Sequence, residues 1–165
     1  MIFVVLTLSA CTVPKEPDYS EFSARESALR QLKAPQGKAI LYVINANEVL
    51  SGKLQMYSGI KTTLGFIYGN KFNAYCLKPG EYSLIYNIGF FDSDPLPLHL
   101  EANKVYGILV GAGDVSIFHG PPIRALSYEE TEHFVSQRQL GPDPRFSPRD
   151  ERQSPFRCDF SLIAK

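Results

Sequence analysis

From Ala39 onward the apolar residues fall at strand spacing, whereas the residues before Pro35 fall at helical spacing. In the helical part, Asp18-Tyr19-Ser20-Glu21 reads as a capping box with Asp18 at the cap, and Glu21 to Arg25 and Glu26 to Arg30 are favourable pairs four residues apart. A helix over 19–33 is expected. Its apolar residues, Phe22, Leu29 and Leu32, make a thin stripe, so it is expected to pack loosely on the edge of the domain. Pro35 disfavours helical backbone at Ala34 and ends it.

After Gly37, Ala39 to Ile44 is a compact strand, followed by a weaker one at 53–57 and another at 62–68. Gly69-Asn70 tolerates positive φ and predicts a tight hairpin back into 71–77, where Phe72, Ala74 and Cys76 share one face. Pro79-Gly80 predicts a type II turn before a strand over 81–88. Asp92-Ser93-Asp94-Pro95 marks a loop; Leu96, Leu98 and Leu100 then alternate with polar or Pro positions, and Pro97 points to a sheet edge. Ala102-Asn103 turns the chain into 105–110, a nearly continuous apolar run expected of a central strand. Seven or so short strands separated by Gly, Pro and Asn describe an antiparallel sandwich or barrel, and the expectation is a mostly β fold, an antiparallel β-sandwich with a short N-terminal helix and a C-terminal helix. That last helix is opened by Ser127-Tyr128-Glu129-Glu130, carries Phe134, Val135 and Arg138, and is closed by Gly141-Pro142.

Outside this body lie two segments of different character. Residues 1–10 are an apolar run ending Leu8-Ser9-Ala10 before Cys11, too short for a membrane span of roughly 20 residues. Small Ser9 and Ala10 fit a peptidase groove, Leu8 fills a pocket, and Cys11 offers a thiol for thioether lipidation; together they resemble the lipobox of bacterial lipoproteins. No Lys or Arg precedes the run, so the signal peptide reads as truncated at its start. A plain secretion signal and a mature first strand are the alternatives. Thr12 rather than Asp follows Cys11, which in such lipoproteins favours the outer membrane. Residues 11–36 then form a tether and the short helix, 37–140 the sandwich with its terminal helix, and 141–165 a Pro-rich extended tail whose Phe160, Leu162 and Ile163 could dock its end.

Composition narrows the function classes. The chain has 165 residues, 17 basic and 17 acidic side chains and a formal net charge of zero, so it carries no electrostatic footprint for nucleic acid. With Cys11 assigned to lipid, Cys76 and Cys158 remain as a candidate disulfide in an oxidising compartment, the alternative being a small buried hydrophobe at Cys76. Such a bridge closes a loop of about eighty residues.

Four segments, Gly37 to Val43, Leu64-Gly65, Leu77-Lys78-Pro79-Gly80-Glu81-Tyr82-Ser83-Leu84 and Leu98 to Tyr106, in this order and with the lipobox and terminal helix, resemble the bacterial lipoprotein family of domain of unknown function 2846. The resemblance covers 35–140. It implies an all-β envelope domain without a known reaction.

No catalytic constellation is legible. There is no G-x-S-x-G elbow, and Cys76 with His99, His119 or His133 is a dyad only on paper. Asp92 and Asp94 lack the rest of a calcium loop, and Gly107, Gly111 and Gly113 lack the order of a phosphate cradle, which leaves them to serve a bulge or a sharp strand exit. Glu81, Glu101 and Glu129-Glu130 read as solvated acids. Most tyrosines are expected in the core or in cross-strand pairs, although exposed ones could stack on sugars. The expectation is therefore a non-catalytic binding or adaptor domain, lipid-anchored in the cell envelope and facing the periplasm. It would have no metal or cofactor, a membrane contact through lipid, and an envelope protein or cell-wall partner. A peptidoglycan- or glycan-binding module is the alternative, and an envelope hydrolase a distant third.

Overall fold

The computed structural model describes residues 19–112, 120–141, 156 and 158. Two helices and ten strands follow in the order α1 (Tyr19–Leu29), β1 (Ala39–Asn45), β2 (Gly52–Ser58), β3 (Ile60–Ile67), β4 (Lys71–Leu77), β5 (Gly80–Ile88), β6 (Phe91–Asp92), β7 (Leu96–Leu100), β8 (Val105–Val110), β9 (Ile123–Leu126), α2 (Tyr128–Gln137) and β10 (Gln139–Leu140). They build a mostly β sandwich. One sheet, A, has the order β10-β4-β1-β8-β9, and the other, B, has β3-β2-β5-β6 with β7 also paired to β5.

The expectation of an antiparallel sandwich needs one correction: sheet A is mixed. β1 runs parallel to β8, with Ile40 opposite Val105 and Asn45 opposite Val110, and β10 runs parallel to β4. The turn at 102–104 explains the first pair. Its Asn103 Oδ1 accepts from Gly37 N at 2.8 Å, and Asn103 N donates to Lys38 O at 2.7 Å. β8 thus starts at the same end as β1 and can only run alongside it.

Two predicted turns also do different work from that expected. The hairpin at Gly69-Asn70 is a corner between sheets, because β3 belongs to sheet B and β4 to sheet A; Asn70 has φ 52, as the turn chemistry required. Pro79-Gly80 likewise crosses between sheets, and Gly80 is already the first ladder residue of β5, at φ 151 rather than in the left-handed turn position. Short apolar strands can pair across a turn or pack across a core, and the turn residues alone do not decide which.

All seven residues of β1 are buried. Its odd positions, Ala39, Leu41 and Val43, pack between the sheets with Leu54, Leu84, Tyr86 and Ile108. Its even positions, Ile40, Tyr42 and Ile44, join Phe72, Ala74, Cys76, Leu109 and Leu140 on the outer face, covered by Leu29, Leu32 and Val135. Within the first helix only Leu29 of the described side chains is buried, so its contact is as thin as its apolar stripe. The helix ends at Leu29, four residues before Lys33, and Leu32 turns back onto the sheet at φ 49. Leu29 and Leu32 are both buried, and Tyr42 Oη donates to Leu29 O at 2.6 Å.

The second helix opens as read: the Ser127 side chain accepts from Glu130 N while the Glu130 carboxylate accepts from Ser127 N. It stops at Gln137, before Gly141, because residues 139–140 are taken up as β10 on the edge of β4. It packs closely over β8: a Cβ at Gly107 would sit 2.0 Å from Thr131 Oγ1, so only glycine lets the helix approach there. Its C-terminal carbonyls are satisfied from Arg30, the residue just after the other helix. Arg30 donates to Val135 O, to Ser136 O at 3.1 Å and to Arg138 O at 2.7 Å, and Glu26 steadies it at 2.5 Å. The pair read as a local helix bond is thus part of a staple between helices.

Cys76 is bonded to Cys158 across a sequence separation of 82, with Cα atoms 4.9 Å apart. Beside it Cys76 N donates to Phe156 O at 2.7 Å, so the described part of the tail is seated on the open edge of β4. Met1 to Asp18, His119, Gly113, Phe160, Leu162 and Ile163 lie outside the described residues.

Candidate functional site

At the end of the sandwich where β1 finishes, two asparagines build a loop. Asn45 is fully buried, and its Nδ2 donates to Leu50 O at 2.7 Å and to Tyr86 Oη at 3.2 Å, while its Oδ1 accepts from Asn47 N at 2.9 Å. Asn47 Oδ1 accepts from Val49 N and Leu50 N at 2.9 and 2.8 Å. Asn70 N donates to Asn47 O at 2.8 Å, tying the loop to the corner after β3. Gly111, at φ 70, turns the chain sharply out of β8 beside this network. Buried amides whose partners are all met hold a backbone in one conformation.

That well-fastened loop presents apolar side chains to water. Val49 is 85% exposed and Leu50 38%. The register of sheet B brings more apolar residues to the same end: Gly52 pairs with Ile67 and lies beside Tyr86 and Asn87, so the loop leaving Leu50 runs next to the β5–β6 turn. Phe90 in that turn is fully exposed, and Phe91 and Phe66 are 38% and 44% exposed. Lys53 lies in the same row, opposite Phe66 on one side and Asn87 on the other. Exposed apolar residues at one end, several of them on a rigid loop, are costly to solubility and make this end the candidate contact surface. They offer no nucleophile, acid or base.

The residues weighed for chemistry are dispersed and spent. Cys76 is in the disulfide and so has no thiol for a dyad. His99 Nδ1 pairs with Glu81 at 2.5 Å on the exposed face of sheet B, and His133 is exposed on α2 against the edge of Phe134. The Lys104 ammonium, 2.7 Å away, holds the Glu101 carboxyl below the usual carboxylate range, and Arg124 does the same to Glu130. Each of these acids faces a cation rather than a second acid. Asp92 accepts from the Asn87 amide at 2.7 Å, and among the described residues no group of His, Cys, Asp and Glu could hold a metal ion.

The tyrosines are mostly inside. Tyr42, Tyr75 and Tyr86 are buried, burial pushes the Tyr42 and Tyr86 phenols up, and Tyr57, Tyr68, Tyr82 and Tyr106 are half-buried. Of the tyrosines whose side chains are described, Tyr128 alone is exposed, so these form no stacking platform. Leu8, Ser9, Ala10 and Cys11 lie outside the described residues. Among the described residues no helix is long and apolar enough to cross a membrane.

No family model matches the chain, and no curated protein matches it. The contact surface was not read from the sequence. Its signals are Asn45-Ala46-Asn47 at the exit of a buried strand and the apolar pairs Val49-Leu50 and Phe90-Phe91 beside turns, where no strand period claims them.

Proposed function

We propose that this chain is a lipid-anchored cell-envelope lipoprotein of the outer membrane, facing the periplasm, whose domain binds another envelope component and carries no catalysis. The observation that supports this reading best is the Cys76–Cys158 bridge. Disulfides persist in oxidising compartments, and this one consumes two of the three cysteines, leaving Cys11 in its lipobox-like context as the remaining thiol. The resemblance to the family of domain of unknown function 2846 belongs to the same reading. The exposed end of sheet B, with Val49, Leu50 and Phe90, is its contact surface.

Metabolic labelling with palmitate tests the anchor in the native gene product. Label that sediments with membranes and disappears with Cys11→Ala is the expected result; membrane association without label, unchanged in that variant, contradicts it. A photo-crosslinker at Phe90 tests the surface. It captures one defined envelope component, whereas the same group at Thr63, on the wet face of sheet B, does not.

A further inference from the structure

A different opening lies at the other end of the sandwich. There the β2–β3 hairpin overhangs sheet A: its ladder continues to Ser58 opposite Ile60, while the β1–β4 ladder finishes at Ala39 opposite Leu77. Strand alternation places Met56, Ser58, Ile60 and Thr62 on the side of sheet B that carries the buried Leu54 and Leu84. Ile60 nevertheless remains 78% exposed. It faces the interior side of a sheet that has run past its partner, where no strand of sheet A lies across from it among the described residues. The result is a cleft of about 390 Å³, walled by apolar Met56, Ile60, Tyr82 and Phe156 and by the hydroxyls of Ser58 and Thr62.

The charge of this cleft is one-sided. Lys38 and Lys78, the residues immediately beyond the Ala39–Leu77 pair, both line it and are both exposed. Neither forms an ion pair among the described residues, and no described carboxylate lines the cleft. Like charges placed opposite each other across a ladder repel, and ammonium groups with hydroxyls nearby are the donors that recognise carboxylate or phosphate oxygens. The volume lies at the small end of ligand pockets, room for one chain rather than two. We infer that this cleft binds a single acyl chain bearing an anionic headgroup, the chain against Met56, Ile60 and Phe156 and the headgroup at Lys38 and Lys78. The site is independent of the contact surface at the opposite end and of the anchor.

Calorimetric titration of the disulfide-bonded full chain with dodecanoate and, separately, with lysophosphatidylglycerol, each kept below its aggregation concentration, tests the site. The expected result is saturable one-to-one binding that the Lys38→Gln/Lys78→Gln variant weakens about tenfold, as two exposed charge contacts allow, and that Phe90→Ser leaves unchanged. Saturation by dodecanoate assigns the headgroup to a free carboxylate; saturation by the lysolipid alone assigns it to a lipid phosphate. Ile60→Asp, exposed and therefore tolerated by the fold, abolishes binding of either. Saturation by neither ligand, or equal binding by the lysine variant, overturns the inference.

Discussion

Sheet A is covered on both faces and sheet B on one, and the devices that hold the molecule together are concentrated on the covered sheet. The outer face of sheet A carries Ile40, Tyr42, Ile44 and Phe72 beneath two helices, the disulfide, the Arg30 staple and the Thr131–Gly107 contact. The outer face of sheet B carries Lys53, Lys61, Glu81, His99 and Asp92, with Phe66 at one end. Apolar Phe66 on that face and Phe90 and Phe91 beside it remain exposed. One sheet is built to be stable and the other is left available for contact.

Substitutions break this comparison in a definite order. Cys158→Ser removes the link that closes the longest loop and lowers unfolding free energy by about 4 kcal/mol in the chain-entropy account; denaturant titration of the variant matches the reduced native protein, and a loss below about 1 kcal/mol contradicts a structural bridge. Gly107→Val drives a side chain into Thr131 and costs about 3 kcal/mol by overpacking, whereas Thr63→Val on the wet face of sheet B stays within about 0.5 kcal/mol. Equal losses in the two variants would erase the distinction between the sheets. Arg30→Met keeps the length but removes the donors to the end of α2, and costs about 1 to 2 kcal/mol, read as earlier thermal loss of helical circular dichroism.

A further difference appears in alkali. Burial raises the Tyr42 and Tyr86 phenols above their ordinary 10.0, so above that pH the unfolded chain releases protons that the fold retains. Stability is therefore complete below pH 10 and falls as the pH climbs beyond it. Thermal melts at pH 8 and pH 11 show the drop, and the Tyr42→Phe/Tyr86→Phe variant shows a shallower one. The smallest effect on stability belongs to the contact surface. Val49→Ser with Leu50→Ser changes unfolding free energy by less than about 0.5 kcal/mol, while the partner captured by the crosslinker at position 90 is lost.

Much of the strand pattern was legible because alternation and continuous apolar runs report burial directly. β4 and β8 lie where their runs of Lys71 to Leu77 and Val105 to Val110 stand, and Pro97 is on the edge strand β7. What was not legible was which strands pair. Gly69-Asn70 turns the chain sharply whether the next strand joins the same sheet or the opposite one, and only packing of Tyr75 and Leu77 between sheets selects the second. The short β6, β9 and β10 carry too few residues for a period to show. The thin apolar stripe of α1 matched its contact: Leu29 is the one described side chain of the helix that is buried, and Leu32, beyond its end, adds to the cover. The candidate contact surface was hidden because Val49, Leu50 and Phe90 stand in loops, where sequence patterns announce only a change of direction.

The most direct measurement is the intact mass of the protein isolated from membranes, taken without reductant after alkylation of free thiols. The account predicts a chain that begins at Cys11, carries the mass of a diacylglycerol and takes up no alkyl group, because the other two cysteines are bonded to each other. An unmodified Cys11, or alkylation at Cys76 and Cys158, contradicts it.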